Sequence, residues 1–360
     1  MSYRYRSFLA AALFAVASCS HGTSGTVYLG AAGPLGSANG DANMKGFELA
    51  LDQINSAAGQ SVKFDKVIRD DSANGARAAA IAQEFVSDPR IVAVVGHVNS
   101  GTMMAAARVY DGHLPAVATS ATSPALSGIS KWAFRVIPSD SLTGATIAAS
   151  MNKLAKKRAV ILYENNSYGR GLAESFRRGF SGEVVGMDPI SDQKGEDLEP
   201  FVTWLKQKQV DLVFLAGTGA TGLPFMQEAR RQQITAALAG GNGWAVLVGD
   251  GAAEGAYFPT PFDARSPRPE VRAFVTAYQN KYHEEPTAYA ALAFDATKIV
   301  AQAVAKVGND RVKVRDYLAN LPEPYQGVTG PITFGANGDP KDKQMMVARI
   351  HDKGIVTGGM

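Results

Sequence analysis

Two hydroxyl-rich loops follow neighbouring apolar runs in the sequence. Residues 96–102 (GHVNSGT) come directly after the apolar run 91–95, and residues 119–124 (TSATSP) come after the next one. Hydroxyl groups and free backbone amides at the start of a helix bind anions, and Ser100 stands where it could cap a helix predicted over 102–110. As simple caps these side chains would need no ligand. Two such loops on adjacent strands favour a shared site for a carboxylate or another anion.

A glycine pattern at residues 217–222 (GTGATG) matches the GxGxxG sequence of dinucleotide-binding turns. It follows an apolar run and precedes a predicted helix, which is the context that this motif requires. The acidic residue expected about twenty positions further on is absent, because the stretch around residues 238–241 contains none. We interpret the motif as a tight strand-to-helix turn beside a cleft, and keep a nucleotide-dependent enzyme as a third hypothesis.

Other catalytic patterns are missing from the sequence. The five histidines are scattered and have neither HExxH spacing nor a cysteine partner, so no zinc site is expected. There is no GxSxG elbow, no Walker phosphate loop and no close pair of carboxylates beside a nucleophile. Asp70 and Asp71 are expected in a solvated turn. We therefore predict a protein that is not an enzyme and that uses no metal or cofactor.

The elements that must position these loops read as alternating strands and helices. From residue 26 onward, short apolar runs alternate with segments of helical periodicity, as in β-α-β units with parallel sheets. At about 100–200 residues per domain, 360 residues suggest two lobes. The sequence therefore predicts an α/β protein, whose later helices are expected at residues 168–180, 197–208, 270–282 and 288–306.

The composition and the N-terminal residues indicate an exported protein. With 36 basic and 33 acidic side chains the net charge is only +3, so no affinity for nucleic acid is expected. Two arginines precede an apolar run at residues 8–17, which is typical of an export signal and too short to cross a bilayer. Residues 16–19 (VASC) resemble a bacterial lipobox with Cys19 as the lipidated residue, and cleavage after Ala17 is the alternative. Cys19 is the only cysteine, which excludes an internal disulfide.

Several short segments fall in a characteristic order along the chain: residues 33–35 (GPL), 46–50 (GFELA), 54–55 (IN), 70–71 (DD), 95–96 (VG), 120–124 (SATSP), 168–169 (YG) and 289–290 (YA). Together with Ser100 they resemble the branched-chain amino acid type of periplasmic solute-binding protein, over roughly residues 26–350. The resemblance implies the type I binding fold. In this fold two Rossmann-like lobes with parallel sheets are joined by three crossovers and close on a small ligand.

Composition breaks near Pro138 and in the proline-rich stretch 259–269 agree with such crossovers. On this basis the expected signal peptide is residues 1–18. The expected N-terminal lobe is residues 22–137 plus 260–330, and the expected C-terminal lobe is residues 138–259 plus 331–360.

The resemblance also implies ligand-binding residues. The family's grip on a carboxylate corresponds to residues in the two hydroxyl-rich loops, namely Ser100, Ser120, Ala121 and Thr122. Tyr168 corresponds to an aromatic that covers the ligand from the second lobe, and Tyr289 lies near the other aromatic wall; Tyr168 could also simply pack at its helix start.

Three positions depart from the family's pattern. Asn39 stands where a tyrosine is usual, Thr218 where an aromatic is usual, and Asn242 where an acidic residue pairs with the ligand's ammonium. Because an unpaired buried ammonium is costly, the loss of this acid puts recognition of an α-amino acid in question. Asp250 could replace the missing acid only with a rearranged loop.

The resemblance implies an exported substrate-binding protein of an ABC importer. We expect a monomer in the periplasm or cell envelope, held to a membrane by a lipid on Cys19. It would capture a small polar solute carrying a carboxylate, an amino acid or a related compound, by hinge closure. Its partners would be that solute and the permease subunits, with no nucleic acid. The alternative is a ligand-sensing or interaction protein on the same fold that signals to an envelope partner.

Overall fold

The computed structural model describes residues 25–59, 62–191 and 198–357. The strands among them are β1 (Thr26–Gly33), β2 (Lys63–Asp70), β3 (Ile91–Gly96), β4 (Ala116–Ala118), β5 (Ala133–Arg135), β6 (Arg158–Glu164), β7 (Glu183–Ile190), β8 (Leu212–Ala216), β9 (Ala237–Gly240), β10 (Tyr257–Thr260), β11 (Tyr325–Gly327), β12 (Gly330–Ile332), β13 (Met346–His351) and β14 (Gly354–Thr357). The helices are α1 (Ala38–Ser56), α2 (Gly75–Ser87), α3 (Ser100–Tyr110), α4 (Asp140–Lys153), α5 (Ser167–Gly179), α6 (Glu199–Lys208), α7 (Gly219–Arg231), α8 (Pro269–Tyr282), α9 (Ala288–Val307) and α10 (Arg311–Ala319). The predicted helices at 168–180, 270–282 and 288–306 are confirmed to within one residue at each end.

The first sheet is fully parallel, with the strand order β2-β1-β3-β4-β5. Its central strand β3 is buried at all six positions. A strand with helices on both faces has no side that meets water, which explains its unbroken apolar sequence.

The second sheet has the order β14-β13-β10-β9-β8-β6-β7. The strands β6 to β10 run parallel, whereas β13 and β14 are added antiparallel at the edge beside β10. A short pair, β11 with β12, stands apart from both sheets. The chain thus forms two α/β lobes with parallel sheets, as the sequence predicted.

Helix α9 returns from the second half of the chain and packs along α1 of the first lobe. The two helices approach so closely that a Cβ placed on Gly46 would lie 2.0 Å from the backbone oxygen of Ala290. Only glycine leaves room for this backbone contact. The packing brings the first turn of α9 to the first turn of α1, at the rim of the first sheet.

Residues beyond β12 also return to the first lobe. The backbone of Arg135 donates to Gly338, and that of Gly128 donates to Asn337. The buried Arg135 side chain pairs with Asp339 at 2.7 Å. The chain therefore stays with the first sheet until about residue 341 before it enters β13.

A buried ionic cluster lies beside this last passage between the lobes. Lys343 donates to the Thr329 hydroxyl at 2.6 Å, and Asp295 accepts the backbone N–H groups of Val328 and Thr329. Burial lowers the pKa of Lys343 to about 8, against the attraction of Asp295. The cluster joins α9 to the crossover without lying in the cleft loops.

Both sheets reverse their strand order at a single point, between β1 and β3 in the first lobe and between β6 and β8 in the second. The loops that leave such neighbouring strands in opposite directions open a crevice at the carboxyl ends of the strands. The segments that follow β1, β3 and β4 and those that follow β6, β8 and β9 carry eight of the nine sequence-predicted binding residues, and Tyr289 lies in the first turn of α9. Topology therefore places those eight residues at the carboxyl ends of the strands, at or next to the two switch points.

Candidate functional site

The two hydroxyl-rich loops lie against each other. The Ser100 hydroxyl oxygen accepts the backbone N–H groups of Thr122, at 3.2 Å, and of Ser123, at 3.1 Å. Ser100 is 3% exposed and Thr122 is fully buried. The Ser100 hydroxyl oxygen accepts from both amides and donates to no other described residue. Its proton therefore remains available for a ligand.

Ser100 does not cap α3, contrary to the sequence-based expectation. Asn99 is the N-cap residue, and its side chain makes no capping hydrogen bond; Ser100 is the first helical residue. The first-turn amides of α3 are therefore left without a side-chain acceptor. An uncapped helix start next to a free hydroxyl is a favourable position for an anion.

Contacts of Ser120 and Ala121 stabilise the two hydroxyl-rich loops. The Ser120 hydroxyl donates to the backbone oxygen of Val98 at 3.1 Å, which ties the loop after β4 to the loop after β3. Ala121 is fully buried, and its carbonyl lies 3.5 Å from the Arg135 guanidinium. These contacts hold the loops in place, and they leave the Ser120 hydroxyl without a proton to donate to an anion.

Asp140, the first residue of α4, is a site residue that the sequence analysis missed. Its backbone N–H donates to the Thr122 carbonyl at 2.8 Å. Its carboxyl group is fully buried, and neither oxygen has a hydrogen-bond partner among the described residues. The Thr122 hydroxyl lies beside it without meeting hydrogen-bond geometry and is itself unpaired.

Burial raises the pKa of Asp140 to about 7, with the Thr122 hydroxyl and the positive charge of Arg135 acting in the opposite direction. Burial is the main cause that raises the pKa of the Tyr168 and Tyr289 hydroxyls, and the Asp140 charge raises both further. The unpaired carboxyl group thus lies near both tyrosines that the sequence assigned to the cleft.

The two tyrosines are each paired with an asparagine of their own lobe. Asn39 donates to the Tyr289 hydroxyl at 3.1 Å, and the Tyr168 hydroxyl donates to Asn242 Oδ1, also at 3.1 Å. The backbone N–H of Gly243 donates to the Tyr168 hydroxyl. Four of the predicted residues therefore form two pairs, one on each wall.

Thr218 binds the carboxylate of Glu164. Both its backbone N–H and its hydroxyl donate to Glu164 at 2.7 Å, and the Thr221 hydroxyl donates to the same oxygen at 2.6 Å. The GxGxxG turn at the start of α7 thus encloses a buried carboxylate from the end of β6. An internal acid occupies the position where a dinucleotide phosphate would bind, which argues against the nucleotide hypothesis.

The structure also corrects the prediction that Asp71 lies in a solvated turn. Asp71 is fully buried and shares a hydrogen bond of 2.7 Å with His97 Nδ1, while His97 Nε2 lies 3.2 Å from the Tyr110 hydroxyl. The expected solvated turn therefore applies to Asp70 alone. The reason is that Asp71 pairs with His97, which follows β3 and stands 26 residues later in the chain, and the sequence spacing does not reveal this pair.

Asp250, the alternative acid, caps its own short helix by accepting the N–H of Ala252 at 2.8 Å. Its carboxylate is therefore used locally.

Cys19 and the signal segment lie outside the described residues. Within the described ranges no cluster of three or more metal-ligating side chains occurs, and no helix there has both the length and the hydrophobicity needed to span a bilayer.

The rims of the two lobes touch. A Cβ placed on Gly101, at the start of α3, would lie 3.7 Å from the Ser167 hydroxyl at the start of α5. A Cβ on Gly171 would lie 2.7 Å from Pro124 Cδ. The Ser167 hydroxyl is buried without a partner, so the contact encloses unpaired polar groups.

Two α/β lobes whose switch points meet across a closed cleft define a type I periplasmic binding protein, and solved structures of this class share the fold. A family model described as "Periplasmic binding protein" matches residues 27–354. The chain therefore belongs to this family of solute-binding proteins and is not an enzyme.

Relatives of known ligand are similar over almost the whole chain. The leucine-, isoleucine-, valine-, threonine- and alanine-binding protein of Pseudomonas aeruginosa is 26% identical over 363 residues, covering 96% of this chain and 95% of that protein. The branched-chain amino acid transporter substrate-binding protein LivJ of Streptococcus pneumoniae, solved with isoleucine, shares 27% identity with a TM-score of 0.85, covering 93% of this chain and 100% of that one. An ABC transporter substrate-binding protein of Desulfitobacterium hafniense, solved with leucine, shares 30% identity with a TM-score of 0.81 and the same coverage.

Proposed function

We propose that the protein is the substrate-binding subunit of an ABC importer for small zwitterionic solutes of the amino acid type. The observation that carries this proposal is the buried, unpaired group formed by the Thr122 hydroxyl and the Asp140 carboxyl beside the Ser100 loop. Buried polar groups without partners are rare in native proteins and call for a ligand or water. The amino acids bound by the relatives have the matching charges.

In this proposal the ligand carboxylate binds at the start of α3. The Ser100 hydroxyl and the first-turn amides of α3 donate to it. The ligand ammonium lies against Asp140, with the Thr122 hydroxyl between the two charged groups. Asp140 thus supplies the acid that Asn242 does not, and the objection to an amino acid ligand from the sequence loses its basis.

Replacing Ser100 and Thr122 together by alanine tests the anion grip. Hydrogen bonds to charged groups contribute ~1.5–3 kcal/mol each, so the dissociation constant for an amino acid that binds the wild type should rise about tenfold or more. Isothermal titration calorimetry with a panel of L-amino acids measures it. A matched control is Ser87→Ala with Thr146→Ala, because both hydroxyls donate to backbone carbonyls of their own helices.

Unchanged affinity of the S100A/T122A variant, with normal thermal unfolding, would remove the anion site. Desamino analogues of the bound amino acids provide a further check. Equal affinity for the analogues would contradict the contact between the ligand ammonium and Asp140.

We further propose a lobe division that follows the hydrogen bonds of residues 337–339. The first lobe comprises residues 22–137 plus 260–341, and the second comprises 138–259 plus 342–360. The backbone bonds to Gly128 and Arg135 support moving the last boundary from 330 to about 341.

The site of action follows from the N-terminal sequence. We propose export, cleavage before Cys19, lipid attachment to that cysteine and delivery of the ligand by the monomer to membrane permease subunits. Intact-mass spectrometry of the membrane fraction should find an N-terminus at Cys19 with the added mass of acyl chains. A soluble mature protein that begins at Ser18 would contradict the lipid anchor.

A further inference from the structure

The cleft carries two asparagines that belong to opposite lobes. In the first lobe Asn39 Nδ2 donates to the Tyr289 hydroxyl, and in the second the Tyr168 hydroxyl donates to Asn242 Oδ1. Helix α1, which carries Asn39, contacts the 3₁₀ helix Asn242–Leu247 across the gap. The two asparagine–tyrosine pairs therefore lie on either side of the same gap.

Each pair keeps hydrogen-bonding capacity that no residue in the described part of the chain uses. Asn39 retains its carbonyl oxygen as an acceptor, and Asn242 retains the two protons of its amide nitrogen. The Tyr289 hydroxyl accepts from Asn39 and still has its own proton to donate. Donors and an acceptor together match a group that does both, such as a carboxamide or a hydroxyl.

The charges around the gap exclude a second ionised group on the ligand. Among the described residues the buried cations are Arg135, bound to Asp339, and Lys343, bound to Thr329. A second carboxylate would therefore find no free buried cation in the described part of the chain and would face Glu164. A second ammonium would find Glu164 already accepting hydrogen bonds from Thr218, Thr221 and Asn166.

We infer that the ligand's side chain is polar and uncharged, so that the protein selects amide- or hydroxyl-bearing amino acids over branched aliphatic ones. The inference rests on the proposed function, because it assumes that the amino acid backbone is held by Ser100, Thr122 and Asp140. An aliphatic side chain would leave the carbonyl oxygen of Asn39 and the amide protons of Asn242 without partners. A site built from hydrogen-bonding groups strongly disfavours a ligand that lacks them.

Calorimetry with near-isosteric pairs tests the inference on the purified wild-type protein. L-asparagine should bind at least about tenfold more tightly than L-leucine, and L-threonine at least about tenfold more tightly than L-valine, because the members of each pair differ mainly in polarity. The double variant N39L/N242L should reverse the order of asparagine and leucine. Each single variant should reduce the asparagine-to-leucine ratio about threefold or more, which keeps the test usable if the double variant unfolds.

The control variant carries Asn309→Leu and Asn320→Leu, since both residues are exposed and lie at the ends of α10. It should keep the wild-type ratio. Equal or tighter binding of leucine and valine by the wild type overturns the inference while leaving the proposed function intact. An unchanged ratio in the folded asparagine variants also overturns it. If no amino acid binds at all, the proposed function fails and the inference fails with it.

Discussion

In the proposed site, the chemistry of the ligand depends most directly on Asp140. An ammonium group gains from contact only with the ionised carboxylate, and burial raises the pKa of this group to about 7. Below that pH, binding must first remove a proton. We therefore expect the affinity for an amino acid to fall about tenfold for each pH unit below 7 and to level off above it.

The same group makes the ligand-free protein sensitive to pH. Its pKa in the folded state lies above the ordinary aspartate value of 3.8, so the folded state binds the proton more tightly than the unfolded state. The contribution of Asp140 to the free energy of unfolding should therefore decrease as pH rises from about 4 to about 7, and then stay constant.

An Asp140→Asn variant separates these effects. It should bind amino acids weakly with little pH dependence between pH 5 and 8, and it should unfold at a higher temperature than wild type above pH 7 without ligand. Calorimetric titration and thermal unfolding measure the two quantities, with the exposed Asp65→Asn as control. Wild-type affinity and pH dependence in D140N would show that Asp140 does not contact the ligand.

The predicted role of Ser100 and Thr122 needed only local sequence, because each hydroxyl follows an apolar strand within a few residues. Asp140 has the same kind of position, one residue into a helix, and nothing in its neighbourhood marks it as unpaired. Its importance comes from the loop after β4, which covers the carboxyl without offering it a donor. No spacing rule detects a missing hydrogen bond.

At the scale of elements, the GxGxxG turn has the strand and helix that a dinucleotide-binding motif requires, but it binds an internal carboxylate. The strand β8, the turn and α7 occur as the motif requires. Glu164, however, stands 54 residues before Thr218 and supplies the acceptor for the start of α7. The motif predicts the turn geometry, and a residue from a different strand decides what the turn binds.

The packing of α9 on α1 illustrates the same limit. Helical periodicity predicts α9 to within one residue of its observed end, but not the helix that it contacts. The contact between Gly46 and Ala290 joins residues 244 positions apart and places Tyr289 beside Asn39. The asparagine–tyrosine pair of the first lobe exists only because of this long-range contact.

At the scale of the whole molecule, binding depends on the contact between the rims of the lobes. A Cβ on Gly101 would lie 3.7 Å from the Ser167 hydroxyl, so cysteine side chains at these two positions would be within reach of each other across the rims. In a Gly101→Cys, Ser167→Cys variant made in a background without Cys19, we expect a disulfide that forms faster with bound amino acid. Once oxidised, the variant should release ligand much more slowly.

Mobility on a non-reducing gel and ligand dissociation followed by fluorescence measure the two outcomes, with the single-cysteine variants as controls. Oxidation at the same rate with and without an amino acid that binds would mean that ligand does not favour closure. Rapid ligand release from the oxidised protein would mean that the rims do not enclose the site.

The sequence by itself determined the two-lobed α/β architecture and the loops that carry the site. The reason is that parallel strands end at a common edge, so an apolar run followed by hydroxyl residues already indicates what lies at that edge. The tertiary structure alone decided which polar groups in that edge are satisfied. The side chains of Glu164, Asp71 and Asn39 have partners 26 to 250 residues away, and the Asp140 carboxyl has none among the described residues. Such pairings depend on how the elements pack.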